Sequence, residues 1–380
     1  MKTINGVYTS ATIFTTNNEK TNIDQYAIAQ IEALCDNPVN KGCKFRIMPD
    51  VHPGKVGTIG LTQTIGNAIL PNVVGIDIGC GMTLAQIKGK KCEFQKLDSV
   101  IRDNVPSGFA IRKKIHRFAE NFAFDSLYCA NSIRKDKALY SLGTLGSGNH
   151  FIEVDQDADE NQFAVVHTGS RHLGQEVTEY YLNKGQQVLK GQGINIPYEL
   201  TYLEGTLMEQ YLHDLMIVQD FATLNREIIL EELCKGMKWK ILDSYSCIHN
   251  YVEASTTSYN GLPILRKGAI SAKSGERVII PINMRDGILL GIGLGNKDWN
   301  ASAPHGAGRI LKREDVKLNY TVSNYKSAMK GIYSSCIGPD TLDEAPFAYR
   351  NLEEIKEVIQ DTVTITNVIK PIYNFKTGSH

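Results

Sequence analysis

Helix-like and strand-like segments follow one another in this chain in no regular order, and that limits the fold more than any other feature. Residues 22–35 place Ile23, Tyr26, Ala27, Ile31 and Leu34 on one face at helical spacing, with Gln25, Gln30 and Glu32 at polar positions. Residues 44–85 change character: short apolar runs are broken by Gly and Pro, the pattern of strands joined by tight loops. Residues 172–190 and 206–235 read as helices, the second free of Gly and Pro. Residues 278–295 are strand-like, 351–360 helical, and 361–376 a final strand. A doubly wound parallel sheet needs strands and helices in alternation, so a mixed α+β fold is expected instead. No repeat, low-complexity tract or long Pro/Ser linker divides the chain. A single domain over 1–377 is therefore expected, with Gly378-Ser379-His380 as an appended tail of no assigned role.

At 380 residues, with 42% apolar and 22% charged side chains, the chain is large enough to form a core without staples. Disorder and a small disulfide scaffold are excluded. The eight cysteines contain no C-x-x-C pair, so neither a zinc ribbon nor a thioredoxin-type redox site is signalled. The N-terminal residues Met1 to Gly6 hold no apolar signal core, and no run of 18 apolar residues occurs. The expectation is a cytoplasmic protein with mostly free thiols and no membrane contact. Lys plus Arg and Asp plus Glu both number 41, but the balance hides one asymmetry. Lys88, Lys90, Lys91, Lys96, Arg102, Arg112, Lys113, Lys114 and Arg117 face only Glu93, Asp98 and Asp103 in the same stretch. A polyanion could dock there; the plainer alternative is a solvated face.

Five of the nine histidines stand in loop-like contexts. His52 follows Met48-Pro49-Asp50-Val51, and His150 closes Gly146-Ser147-Gly148-Asn149. His167 precedes Thr168-Gly169-Ser170-Arg171, His249 precedes Asn250, and His305 opens Gly306-Ala307-Gly308-Arg309. A lone histidine is usually structural, but five at the ends of strands suggest a reactive centre. Asp77 and Cys80 join them in Val74-Gly75-Ile76-Asp77-Ile78-Gly79-Cys80-Gly81. Asp, Cys and three His could hold a pair of divalent cations, since a thiolate can bridge two metals. Otherwise Cys80 is a small buried hydrophobe, the usual fate of a free cysteine.

Familiar nucleotide signatures are missing. There is no phosphate-loop motif, and Gly143-Thr144-Leu145-Gly146-Ser147-Gly148 has the wrong order for a dinucleotide fingerprint. The lysine-nucleophile motif K-x-D-G is approached only by Met284-Arg285-Asp286-Gly287, which has Met where Lys is needed. Covalent nucleotidyl chemistry would require another nucleophile.

Together the segments Met48–Gly54, Val74–Gly81, Leu145–Glu153 and Val166–Gly174 resemble the RtcB family of GTP-dependent RNA ligases. The resemblance continues through Tyr211-Leu212-His213-Asp214, Gln219, Asn225-Arg226, His249-Asn250 and Arg266-Lys267-Gly268-Ala269. It ends with His305–Arg309, Asp343-Glu344-Ala345-Pro346 and Lys376, so the ordered set spans nearly the whole chain. It implies a single α+β domain with mixed and antiparallel sheets around a deep metal-containing cleft. The implied activity joins RNA 3′-phosphate or 2′,3′-cyclic phosphate ends to 5′-hydroxyl ends, as in tRNA splicing or RNA repair. GTP and two Mn²⁺ per site are the implied cofactors; RNA and an archease-like activator are the implied partners.

By the same matching, His305 is the guanylylated nucleophile and Asp50 orients it. Cys80 would bridge two metals, one completed by His167 and His249, the other by Asp77 and His150. Asn149 and Arg171 would face phosphates, while Glu153, Tyr349 and Lys376 would read guanine. Asn250, Asn283, Gly306, Ala307, Gly308 and Arg309 complete the nucleotide-binding set. Cys and His are softer donors than Mn²⁺ prefers, so zinc copurifying in its place would be unsurprising. The chain departs from the family at Ile280-Pro281-Ile282-Asn283-Met284-Arg285-Asp286-Gly287, where many relatives carry I-P-G-S-M-G, and at Leu311-Lys312-Arg313, which replaces x-S-R. Two other functions compete. One is a metal-dependent cyclic phosphodiesterase, which would not need His305; the other is a non-catalytic RNA-end binder, which would need none of the metal donors.

Overall fold

The Gly- and Pro-free segment 206–235 lies within one 33-residue helix, Gly205–Met237, and two of the hydrophobic clusters pack against it. A computed structural model describes residues 1–15, 23–258 and 260–377; the expected tail at 378–380 lies outside them. The other predicted elements appear close to their expected bounds. The first helix is Gln25–Cys35, where Asp24 accepts from the Tyr26 amide as its N-cap and buries Ala27, Ile31 and Leu34. The second is Arg171–Gly191. The helix expected at 351–360 is shorter, Leu352–Val358, and tightens into a 3₁₀ turn to Asp361. A helix at Phe94–Asn104 was not expected from the sequence.

The strands, in chain order, are β1 (Lys2–Asn5), β2 (Ser10–Ile13), β3 (Phe45–His52), β4 (Ile59–Thr64), β5 (Ala68–Ile69) and β6 (Gly81–Lys88). Next come β7 (Phe151–Gln156), β8 (Gln162–Thr168), β9 (Leu203–Glu204), β10 (Lys240–Ile248), β11 (Asn250–Glu253) and β12 (Ile264–Lys267). The last are β13 (Ala269–Ser271), β14 (Arg277–Asn283), β15 (Gly287–Gly293), β16 (Ser302–Pro304) and β17 (Val363–Lys376). Six form one sheet, β1-β2-β3-β4-β12-β11, whose β2–β3 pair is parallel. Seven form a second, β10-β6-β8-β7-β17-β15-β14, antiparallel throughout, and β13-β16 and β5-β9 are two small antiparallel pairs. This is the mixed α+β architecture expected from the irregular element order.

The seven-stranded sheet is covered on both faces. Met82, Leu84, Phe163 and Val165 cluster with Ile270 of β13, Ala303 of β16 and Ile355 of the helix Leu352–Val358 on one side. Ala85, Ile87, Ile152, Val154 and Val166 pack with Leu97, Ile101, Ile229 and Leu233 of two helices on the other. Double coverage explains why β8, β14 and β15 read as apolar runs and not as alternating strands. A third cluster joins the two long helices to the six-stranded sheet.

The register brings five chain segments to one end of the larger sheet. Gly81 pairs with Thr168 and with Ile248, Phe151 pairs with His167, and Lys376 pairs with Phe151. At that end β10 passes into β11, the edge of the other sheet, through the single residue His249. Among the described residues no helix is long and apolar enough to cross a membrane.

Candidate active site

The loops at this junction are held from the long helix. Asn225 accepts from the amides of Gly143 (2.7 Å) and Thr144 (3.1 Å) and donates to the Gly169 carbonyl (3.1 Å). Arg226, fully buried, donates to the carbonyls of Gly79 (2.8 Å) and Thr168 (3.0 Å). One helical turn therefore fixes the loops before Cys80, before His150 and after His167. Gly79 must be glycine: it has φ +71°, and a Cβ there would lie 2.8 Å from that of Ala222.

Cys80 Sγ stands 3.5 Å from His150 Nε2 and 3.4 Å from His167 Nε2. His167 Nε2 is 3.4 Å from His249 Nε2, and His150 Nε2 is 3.1 Å from Asp77 Oδ2. Two triads result, Cys80–His167–His249 and Asp77–Cys80–His150, the donor atoms of each lying within 4.8 Å of one another. Donors bound about 2.0–2.3 Å from one ion at a tetrahedral angle stand roughly 3.3–3.8 Å apart. The spacing and the N/S/O donor chemistry thus fit two cations that share the thiolate. His150 Nδ1 donates to the Leu145 carbonyl (2.9 Å), leaving the Nε2 lone pair toward Cys80 and Asp77. Buried His167 Nδ1 has no partner among the described residues.

Burial, and then the charges of neighbouring histidines, hold His167 and His249 well below the ordinary imidazole range, so both rings are neutral. Burial and then Asp77 push the Cys80 thiol well above its usual value; a bound cation opposes both effects. Burial alone would raise Asp77, but the hydrogen bond and charge of His150 outweigh it and hold the carboxyl well below its usual range.

His305 lies beside this cluster, its ring centroid 4.8 Å from that of His249. Its Nδ1 donates to Asp50 Oδ2 at 2.7 Å, and Asp50 is fully buried. That leaves Nε2 for chemistry. Gly268, at φ +63°, closes around the ring: a Cβ there would meet Ile59 Cγ2 at 2.1 Å and His305 Cε1 at 3.2 Å. His52 stacks near His305 at 6.5 Å, its pKa lowered to about 4 chiefly by burial.

A cavity of about 230 Å³ opens over His305. Its walls include Asn149, Glu153, His167, Asn283, Gly306, Ala307, Gly308, Arg309, Tyr349 and Lys376, most of the nucleotide-binding set expected from the sequence. Burial raises the Glu153 carboxyl to about 7 against the opposing effects of Asn374 and Lys376. Two expected residues stand outside that wall. Asn250 is spent on structure, donating to the Asp77 carbonyl (3.3 Å) and accepting from the Gly268 amide (3.0 Å). Arg171 donates to Thr144 Oγ1 (3.3 Å) and the Gly108 carbonyl (3.4 Å), on the Asp77 side of the centre.

Glu344 was not singled out as a site residue, yet it organises one wall. It accepts from Lys376 Nζ (2.9 Å) and Tyr349 Oη (2.6 Å), pairs with Arg309 Nη1 (3.6 Å) and contacts Arg313. Burial would raise its pKa, but Lys376, Arg313 and Arg309 hold it well below the carboxylate range. Its only sequence signal was the Asp343-Glu344-Ala345-Pro346 match. The basic stretch at 88–117 is not one patch. Arg102 pairs with Asp98, Arg112 with Glu232 and Arg117 with Glu231. Lys88 lies at the far end of β6, opposite Lys240.

A possible metal-donor set beside a carboxylate-held histidine has the chemistry suited to metal-assisted transfer of phosphoryl or nucleotidyl groups. Comparison with known proteins narrows that chemistry. The family model described as tRNA-splicing ligase RtcB matches residues 39–129 and 119–377. The RNA-splicing ligase RtcB of Escherichia coli K12 is 28% identical over 360 residues, covering 86% of this chain and 88% of its own length. The RNA-splicing ligase RtcB2 of E. coli ATCC 25922 is 27% identical over 404 residues and 97% of both chains. The tRNA-splicing ligase RtcB of Nanoarchaeum equitans is 27% identical, over 83% of this chain and 84% of its own. The chain belongs to the RtcB family.

Proposed function

We propose that this chain is an RNA ligase that joins 3′-phosphate or 2′,3′-cyclic phosphate ends to 5′-hydroxyl ends, using GTP and Mn²⁺. Family membership supports RNA ligation. The observation that carries the nucleotidyl step is the 2.7 Å contact between His305 Nδ1 and buried Asp50. A carboxylate at one ring nitrogen selects the tautomer whose other nitrogen is nucleophilic and steadies the charge that develops on attack.

In this reading His305 Nε2 attacks the α-phosphorus of GTP; the N–P bond forms as the bond to pyrophosphate breaks. The RNA 3′-phosphate then attacks the same phosphorus and releases a neutral imidazole. The 5′-hydroxyl attacks the activated 3′-phosphate, loses its proton and expels GMP, leaving a phosphodiester. A cyclic phosphate is hydrolysed to a 3′-phosphate beforehand. When bound, two divalent cations would withdraw charge from phosphoryl oxygens and lower the pKa of the attacking water or hydroxyl.

Asp77, Cys80, His150, His167 and His249 are assigned as their ligands. Asn149 and Arg171 are assigned to phosphates, and Glu153, Tyr349 and Lys376 to guanine, with Asn283 and Gly306–Arg309 shaping the pocket and Asn250 acting from outside it, on the Asp77 carbonyl and the Gly268 amide. Manganese is assigned from the family, because this donor set alone favours zinc. An archease-like activator belongs to the same reading. So does a cytoplasmic setting, where reducing conditions keep Cys80 available as a thiolate. The test is incubation with α-labelled GTP and Mn²⁺ followed by denaturing electrophoresis. Label stable in alkali and lost in acid is expected of a phosphoramidate on His305; an unlabelled chain refutes the proposal.

A further inference from the structure

The loop from Pro106 to Lys114 takes no part in the chemistry above, yet it is fastened to the centre. The Pro106 carbonyl accepts from the Leu145 amide (2.8 Å), and the Gly108 amide donates to the Gly146 carbonyl (2.8 Å). The Gly108 carbonyl accepts from Arg171 Nη2 at 3.4 Å. Leu145 is also the residue whose carbonyl holds His150. The root of the loop is thus fixed to the backbone that leads to His150 and to the side chain of Arg171.

Beyond that root the side chains turn outward. Gly108 has φ +64° and nothing within 4 Å of a built Cβ, so the chain turns there without packing back. Phe109, the next residue, is 89% exposed, and Ile111 is 41% exposed. Lys113 and Lys114 are exposed, and neither has a carboxylate partner among the described residues, whereas Arg112 and Arg117 are neutralised by Glu232 and Glu231.

A single exposed apolar side chain needs no explanation. An exposed ring next to Gly108, whose carbonyl Arg171 holds, followed by two ammonium groups without carboxylate partners, is a different combination. It offers a π-face for a base and point charges for the phosphates that follow, which is how single strands are bound without sequence preference. A duplex has no free base face to offer, so the combination favours an unpaired strand.

We propose that Phe109 is a stacking platform for an unpaired base of the RNA strand leading into the active site, with Lys113 and Lys114 on its phosphates. The proposal rests on the RNA-ligase reading and adds the form of the substrate: single-stranded beside the reacting end.

The test measures binding of a 3′-phosphorylated single-stranded oligonucleotide by fluorescence anisotropy. Phe109→Ala should weaken it roughly 5- to 100-fold, the range for losing one stacked base. Phe109→Leu, which keeps apolar bulk without a π-face, should be as weak, and Phe109→Trp should restore binding. An abasic scan of the oligonucleotide should show one position that matters to wild type and not to Phe109→Ala. Lys113→Gln with Lys114→Gln should flatten the salt dependence by about 0.7 in log–log slope per lost contact. Binding within twofold of wild type for Phe109→Ala or Phe109→Leu overturns the proposal, as does an equal loss on a blunt duplex. Label uptake from GTP by the wild-type chain, which involves no RNA, is read in parallel. Its absence defeats the ligase reading, while the binding comparison judges the platform separately.

Discussion

Replacing Asp50 by Asn isolates the contact on which the nucleophile depends. The carboxylate is fully buried and bound at 2.7 Å to His305 Nδ1, and its second oxygen has no partner among the described residues. Asn is nearly isosteric, so the fold should persist. Two effects are lost. A hydrogen bond to a charged group contributes about 1.5–3 kcal/mol. A unit charge about 4 Å from the developing imidazolium contributes about 4 kcal/mol at an effective dielectric of 20. The two overlap, so the loss should be about 3–5 kcal/mol, roughly 10²- to 10⁴-fold in the rate of guanylylation. An amide can also turn its NH₂ toward Nδ1, which selects the tautomer with the proton on Nε2 and blocks attack. The assay is single-turnover label transfer from α-labelled GTP, with metal content measured on the same preparation. Metal should be unchanged, because Asp50 is in neither donor triad. Label uptake within threefold of wild type would refute the reasoning, and so would a slow variant that had also lost metal.

Cys80→Ser should lose both metals and label uptake together, since Cys80 belongs to both donor sets; full occupancy by elemental analysis would return Cys80 to a packing role. Zinc should outcompete manganese for the wild-type site in equilibrium dialysis with both ions present, and a manganese preference there would show that the softness argument fails. Gly268→Ala must push Ile59 Cγ2 from a 2.1 Å contact at a backbone φ of +63°, and should cost about 1–3 kcal/mol in denaturant unfolding; an unchanged midpoint would contradict it. Burial lowers Lys267 to about 8, against about 10.4 in the unfolded chain. The unfolded state therefore binds more protons between those values, and Lys267 makes stability rise with pH across that window by roughly 3 kcal/mol. Lys267→Met should remove that slope in urea unfolding between pH 8 and 10, and an unaltered slope would show that the ammonium is solvated.

The sequence disclosed the elements whose signals are local. The helix Gly205–Met237 was legible at 206–235 from a long stretch without Gly or Pro. Its neighbour Arg171–Gly191 departs from the expected 172–190 by one residue at each end. The strand β8 did not announce itself, because an apolar run buried on both faces loses its alternation; β7 keeps an alternation, Ile152 and Val154 against Glu153 and Asp155, but was not read as a strand. The candidate site was legible as an ordered set of residue types, not as geometry. Asp50 and His305 are 255 positions apart, and no spacing rule connects them. Glu344 was passed over because its importance lies in Arg309, Arg313, Tyr349 and Lys376 converging on it from three other segments. The basic stretch is contiguous in sequence but divided by folding, which pairs Arg102 with Asp98, Arg112 with Glu232 and Arg117 with Glu231, carries Lys88 to the other end of a strand and leaves Lys113 and Lys114 exposed.

The position of β17 bears on how the enzyme comes to exist. It is the last strand in chain order, yet it lies inside the seven-stranded sheet, between β7 and β15. While the ribosome is still translating residues before 363, β10-β6-β8-β7 and β15-β14 can form only as two fragments, each with an open edge where β17 will sit. Open edges are the surfaces through which nascent chains pair with the wrong partner. Insertion of β17 closes both and in the same movement delivers Asn374 beside Glu153 and Lys376 beside Glu344. Maturation of the sheet and completion of the pocket wall are therefore one event. A chain released short of that strand would be a target for chaperones and proteases, not a smaller ligase.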